Sequence, residues 1–141
     1  MNIKLEKKDI GEMIEKYYQE ILGIEGEVSI TCSKQLVGYG TAEHDDCFVN
    51  FKLKGEMTIL GSKRSIEIDI SEEEVMASIR YYIEKEGYIY TGYRMLKGME
   101  PRTSGYGPHE KTNYIPYFNG IEIGVTNEKL KELSKRRGEM K

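Results

Sequence analysis

Ile66-Glu67-Ile68-Asp69-Ile70-Ser71-Glu72-Glu73-Glu74-Val75-Met76 is the stretch that decides how the chain is read. Its first five residues alternate apolar and acidic, the period-two signature of a strand with one buried and one solvated face. Ser71 then stands three residues ahead of Glu74. A hydroxyl and a carboxylate at that spacing satisfy two orphan backbone donors at a helix start, and three acids suit the positive end of a helix dipole. Val75, Met76, Ile79, Tyr82 and Ile83 follow at helical spacing, and Gly87 supplies the stop. Tyr88 to Leu96 is rich in tyrosine and reads as a second strand. The centre of the chain is thus a strand–helix–strand scaffold, which by itself names no chemistry.

Outward from that centre, Asp9 opens a first helix with Glu12 as its capping-box partner. Ile10, Met13, Ile14, Tyr17, Tyr18 and Ile21 share one stripe, Glu12, Glu15, Lys16 and Glu20 face water, and Gly23 ends the helix. Val28, Ile30 and Cys32 alternate as a short strand. From Ser33 to Asp46 the pattern gives way to Gly38-Tyr39-Gly40-Thr41 and a polar run, read as a hairpin loop or exposed flap. Cys47, Val49, Phe51 and Leu53 resume the alternation, and Gly55 is expected to mark a bulge or tight turn. Met57 to Leu60 continues that strand into a turn at Gly61.

Beyond Leu96, residues Lys97 to Tyr117 contain Gly98, Pro101, Gly105, Gly107, Pro108 and Pro116, and are expected to form a long irregular connection. Asn119-Gly120 reads as a turn, Ile121, Ile123 and Val125 as a strand, and Asn127 as the cap of a short helix through Leu130 and Leu133. The tail is basic, with Lys129, Lys131, Lys135, Arg136 and Arg137. Neither an internal repeat nor a linker is read from the letters. The expectation is a single α+β domain over residues 1–141, a mostly antiparallel sheet with helices packed on one face.

A chain of 141 residues carrying a formal charge of −3 lacks the basic balance that general nucleic-acid binding requires. No run of eighteen apolar residues offers a membrane span, and the charged start does not read as a signal peptide. Two cysteines make no disulfide framework, so reduced thiols in a cytoplasm are expected. Eleven tyrosines and no tryptophan stand out. Tyrosine joins an apolar body to a polar tip, which suits either half-buried sheet positions or a contact surface.

The glycine-punctuated segment holds the main candidates for chemistry. Arg102 could meet phosphate or carboxylate, Tyr106 and Tyr114 could stack on a ring, and His109 could donate to an anion, with Arg94 at the strand end beside them. Together they are expected to bind a small anionic, nucleotide-like ligand, although no Walker-type spacing is present. A second candidate is the acidic strip of Glu67, Asp69 and Glu73, which could imitate nucleic-acid phosphates against a basic partner. A third is a zinc- or cysteine-dependent hydrolase using Cys32 or Cys47 with His44 or His109. Metal-ligand spacing and a nucleophile elbow are both missing, so neither a metal nor a cofactor is expected and catalysis is disfavoured.

From Ile83 to Val125, the order Glu-Gly-Tyr, Ser-Gly-Tyr-Gly-Pro-His-Glu and Tyr-Phe-Asn-Gly-Ile-Glu-Ile-Gly-Val resembles small proteins carried by phages and prophages of Gram-positive bacteria. The resemblance implies an accessory role against host immunity in the bacterial cytoplasm. It favours binding over catalysis: sequestering a nucleotide signal, or inhibiting an effector nuclease in the manner of an anti-CRISPR protein. It assigns no residue, and leaves self-association open.

Overall fold

A computed structural model describes residues 1–127. The fold is α+β, with two α-helices and two three-stranded antiparallel sheets among the described residues. In chain order the elements are β1 (Asn2–Leu5), α1 (Lys7–Leu22), β2 (Glu25–Val37), β3 (His44–Ile59), β4 (Ser62–Ile70), α2 (Glu72–Lys85), β5 (Tyr88–Ser104) and β6 (Lys111–Asn127).

That order is strand–helix–strand–strand, stated twice. The first unit closes at the turn through Leu60 and Gly61, both at positive φ, and the second begins at once with β4. The sequence reading found no repeat, and the structure corrects it. The units exchange their first strands. One sheet runs β1-β6-β5 and the other β2-β3-β4, so each is the long hairpin of one unit extended by the leading strand of the other. Ile3 and Leu5 of β1 pair with Ile123 and Ile121, while Ile68 and Ile70 of β4 pair with Leu53 and Phe51.

One core joins both units. Ile10 and Ile14 of α1 and Val75 and Ile79 of α2 are fully enclosed, alongside Leu53, Ile121, Ile123 and Val125 from the sheets. Phe51 and Phe118, each twelve residues beyond the tyrosine at its hairpin's tip, meet edge to face at 6.0 Å. The helices lie head to tail, with Asp9 and Glu86 beside one cleft and Leu22 and Glu74 beside another.

The helix starts are built as the rules of capping require, with two changes of partner. The first helix is capped three residues earlier than expected, and its box is Glu6 with Asp9: Asp9 accepts the Glu6 amide at 3.0 Å. In α2, Ser71 accepts the Glu74 amide at 3.2 Å, as read from the sequence. The Glu74 carboxylate turns instead to the other helix and takes the Tyr18 hydroxyl at 2.8 Å.

Burial, that hydrogen bond and the nearby Glu74 charge hold the Tyr18 phenol far above its ordinary value, and burial pushes Tyr82 up to about 12. Folded pKa values above the unfolded ones give stability that is complete below the ordinary tyrosine range and lost as pH rises through the folded values. Denaturation midpoints are therefore expected to fall above about pH 10. In Tyr18→Phe that alkaline fall should be shallower, with about 1–2 kcal/mol of stability lost at neutral pH; equal pH slopes in the two proteins would contradict the assignment.

Three further expectations are corrected. Residues Lys97 to Tyr117 are not an irregular loop but most of a continuous hairpin, paired from Lys97↔Phe118 to Ser104↔Lys111. Prolines 101 and 116 are tolerated because each ribbon strand there has a free side. Gly55 makes neither bulge nor turn; it faces Gly26 across the ladder, where a Cβ on either would strike the opposite backbone. Asn119-Gly120 sits inside β6 at a register shift, where the pairing passes from Met95↔Ile121 to Lys97↔Phe118. The helix expected after Asn127 and the basic tail lie outside the described residues.

Candidate functional site

The β2–β3 and β5–β6 hairpins outrun the core that supports their bases. Lys34–Asp45, apart from half-buried Val37, and all of Glu100–Ile115 are exposed. Each hairpin ends in the same construction. Gly38-Tyr39-Gly40 and Gly105-Tyr106-Gly107 lead into single 3-10 turns at Gly40–Ala42 and Gly107–His109. The glycine φ angles are +94° and +56° in the first tip and +93° and +55° in the second. Only glycine fits the first position of each, since a Cβ there would meet the carbonyl of Ala42 or His109. Backbone bonds close both turns: Ala42 N–H to Tyr39 O at 3.0 Å, and His109 N–H to Tyr106 O at 3.0 Å.

Between those glycines the tyrosines stand clear of the protein, Tyr39 at 93% and Tyr106 at 92% exposure. The sequence reading found Tyr106 but not Tyr39. The signal was present, because Gly-Tyr-Gly-x-x-Glu occurs at both Gly38–Glu43 and Gly105–Glu110.

The expected anion site is not gathered in one place. Tyr106 and His109 share the second tip, but Arg102 faces Asn113 across the ladder while Tyr114 faces Pro101. Adjacent ladder positions point to opposite faces, so Arg102 and Tyr114 leave the ribbon on different sides. Arg94 lies eight residues back from Arg102, about 26 Å along a strand. Both guanidiniums are exposed and face carboxylates, Arg94 to Glu122 at 3.6 Å and Arg102 to Glu100 at 3.9 Å. Five clefts on the described surface have none of these five side chains in their linings.

The acidic strip is divided as well. Lys52 holds Glu67 at 2.8 Å and Asp69 at 3.8 Å, and its hydrogen bond and charge keep the Glu67 carboxyl below the usual range. Glu73 lies on α2, in a cleft with Met76, Arg80, Tyr90 and Tyr93. Among the described residues, no three His, Cys, Asp or Glu side chains come together as metal ligands would. Cys32 and Cys47 donate to the Pro116 and Tyr117 carbonyls at 3.4 and 3.3 Å, and His44 turns to the Ala42 carbonyl at 3.1 Å.

The chain matches no protein-family model, no curated protein and no solved structure. Its function must be read from its own surface.

That surface carries two clefts between the helices, and they too repeat. Asp9, Glu12, Tyr82, Ile83 and Glu86 line one; Glu74, Ala77, Tyr17, Tyr18 and Ile21 occupy the corresponding helical positions in the other. Each encloses about 230 Å³, at or below the small end of ligand pockets. The first is lined by three carboxylates and one cation, Lys16, and the second by two tyrosines, aliphatic side chains and the single carboxylate Glu74. No helix among the described residues is long and apolar enough to cross a membrane.

Proposed function

We propose that this protein is a non-catalytic binder that grips the surface of a partner protein with its two tyrosine tips. The observation that carries the reading is the tip built twice, with the same glycine conformations and each tyrosine more than nine-tenths exposed. Tyrosine offers a large amphipathic contact at low entropic cost, which is why it is enriched at protein interfaces. A two-stranded ribbon with both faces wet gains little by itself, and a partner laid against it would supply the missing packing. The resemblance to phage-borne proteins points to a bacterial defence protein in the cytoplasm as that partner.

A second reading keeps the anionic ligand, and rests on Tyr106 and His109 sharing one turn. Here a nucleotide would lie on the tip rather than in a pocket.

Photo-crosslinking amino acids at positions 39 and 106, with position 17 as control, would identify the partner. Against that purified partner, Tyr39→Ala and Tyr106→Ala are each expected to weaken binding about 30-fold, the scale of an interface hot spot. Neither should alter thermal stability, since neither ring packs on the core. Full affinity in the double variant would end the protein-gripping reading. Heat from a panel of cyclic and ADP-ribose-derived nucleotides that disappears in Tyr106→Ala would favour the anion instead.

A further inference from the structure

Cys32 and Cys47 belong to the base of the β2–β3 hairpin, the first of the two projecting arms, and neither serves the reading above. The ladder pairs Cys32 with Val49 and Cys47 with Lys34, so the thiols stand diagonally on one face of adjacent strands. Both face β6. Their Sγ atoms donate to successive carbonyls, Cys32 to Pro116 at 3.4 Å and Cys47 to Tyr117 at 3.3 Å. Two thiols held by neighbouring acceptors of one strand are thereby held close to each other. Burial raises the Cys47 thiol above its ordinary range, and the Cys32 thiol beside it adds to the rise. Cys47 is fully enclosed and Cys32 half-buried, so a reagent reaches Cys32 first.

We propose that Cys32 and Cys47 are a redox modification site, closing to an intramolecular disulfide with a small-molecule disulfide such as oxidised glutathione as the oxidant. The Cys32 thiol gives its proton to solvent, and its thiolate attacks one sulfur of oxidised glutathione. That bond forms as the glutathione disulfide breaks and one glutathione thiolate leaves. Cys47 then loses its proton and attacks the Cys32 sulfur, expelling the second glutathione. Two protein thiols are oxidised, one disulfide is reduced, and two glutathiones are released. Closure removes both S–H donors from the Pro116 and Tyr117 carbonyls, so the oxidised protein loses two of the bonds that tie the first arm to the second. Diagonal neighbours start about 7–8 Å apart at their Cα atoms, beyond the usual span of a disulfide, so the two strands must draw together as the bond forms.

The test is to hold the purified protein in glutathione buffers of graded oxidised-to-reduced ratio, then alkylate, take intact masses and map peptides. The expected species lacks two hydrogens, accepts no alkylating reagent, yields a Cys32–Cys47 cross-linked peptide and returns to the dithiol with dithiothreitol. Cys47→Ser should stop at the stable glutathione adduct on Cys32, because the expelling thiol is gone. Cys32→Ser should stay reduced. Two alkylatable thiols in wild type at the most oxidising ratio would overturn the proposal, as would a bridge found only between molecules.

Discussion

Truncating Phe51 to alanine is expected to lower the unfolding free energy by about 3–5 kcal/mol, the range for deleting a buried aromatic ring. The ring is 3% exposed and meets Phe118, also 3% exposed, edge to face where the two units join. Phe51 also pairs across the ladders with Ile30 on one side and Ile70 on the other. Loss of the ring therefore opens a void bordered by both units, and neither can relax into it without moving the other. Phe118→Ala should cost about as much, because it empties the other half of the same contact. Urea denaturation followed by far-ultraviolet circular dichroism measures both. A loss below about 1 kcal/mol would mean that the join is held elsewhere.

Gly120→Ala is expected to be nearly as damaging, at about 2–4 kcal/mol, although it adds a single methyl group. Gly120 has a φ of +107° and is buried, and a Cβ there would strike the carbonyl oxygen of Leu5. Leu5 is the last residue of β1, paired with Ile121. The methyl therefore pushes directly on the strand that one unit lends to the other, while the residue itself is forced into a conformation that favours glycine. Gly40→Ala provides the comparison. Its φ is +56°, nothing lies within 4 Å of the added methyl, and only the left-handed backbone penalty of about 1 kcal/mol applies. Equal losses in the two variants would show that conformation alone matters and that β1 has room to move.

The sequence was most legible where one physical rule acted alone. Ile66 to Ile70 and the Ser71 cap could be read because alternation and capping are local, and the stripe from Ile10 to Ile21 because one helix face is apolar. Lys97 to Tyr117 misled because glycine and proline were counted as breakers. In a ribbon whose strands are exposed, proline costs little and glycine only marks the tip. The short β1 carried too few residues for any period. The duplication was obscured because only a few positions are constrained: enclosed aliphatics such as Ile14 and Ile79, the paired phenylalanines and the tip glycines. The five residues expected to form one anion site are spread along the ribbon for a reason of direction. Sequence distance placed Arg102 near Tyr114, but a strand turns successive side chains to opposite faces, and which residues form a strand was the very point misread. Tyr39 could have been found by comparing the two Gly-Tyr-Gly motifs with each other.

The lending of strands between units sets an order for how the molecule comes into being. β1 is made before the other described elements, yet its partner residues Ile121–Gly124 lie in the last of them. The first hairpin can take up β4 as soon as residues 62–70 follow it, but β1 stays without a pairing partner until residues 121–124 leave the ribosome. Such long-range closure places the molecule among slow folders, with completion deferred until β6 has been made.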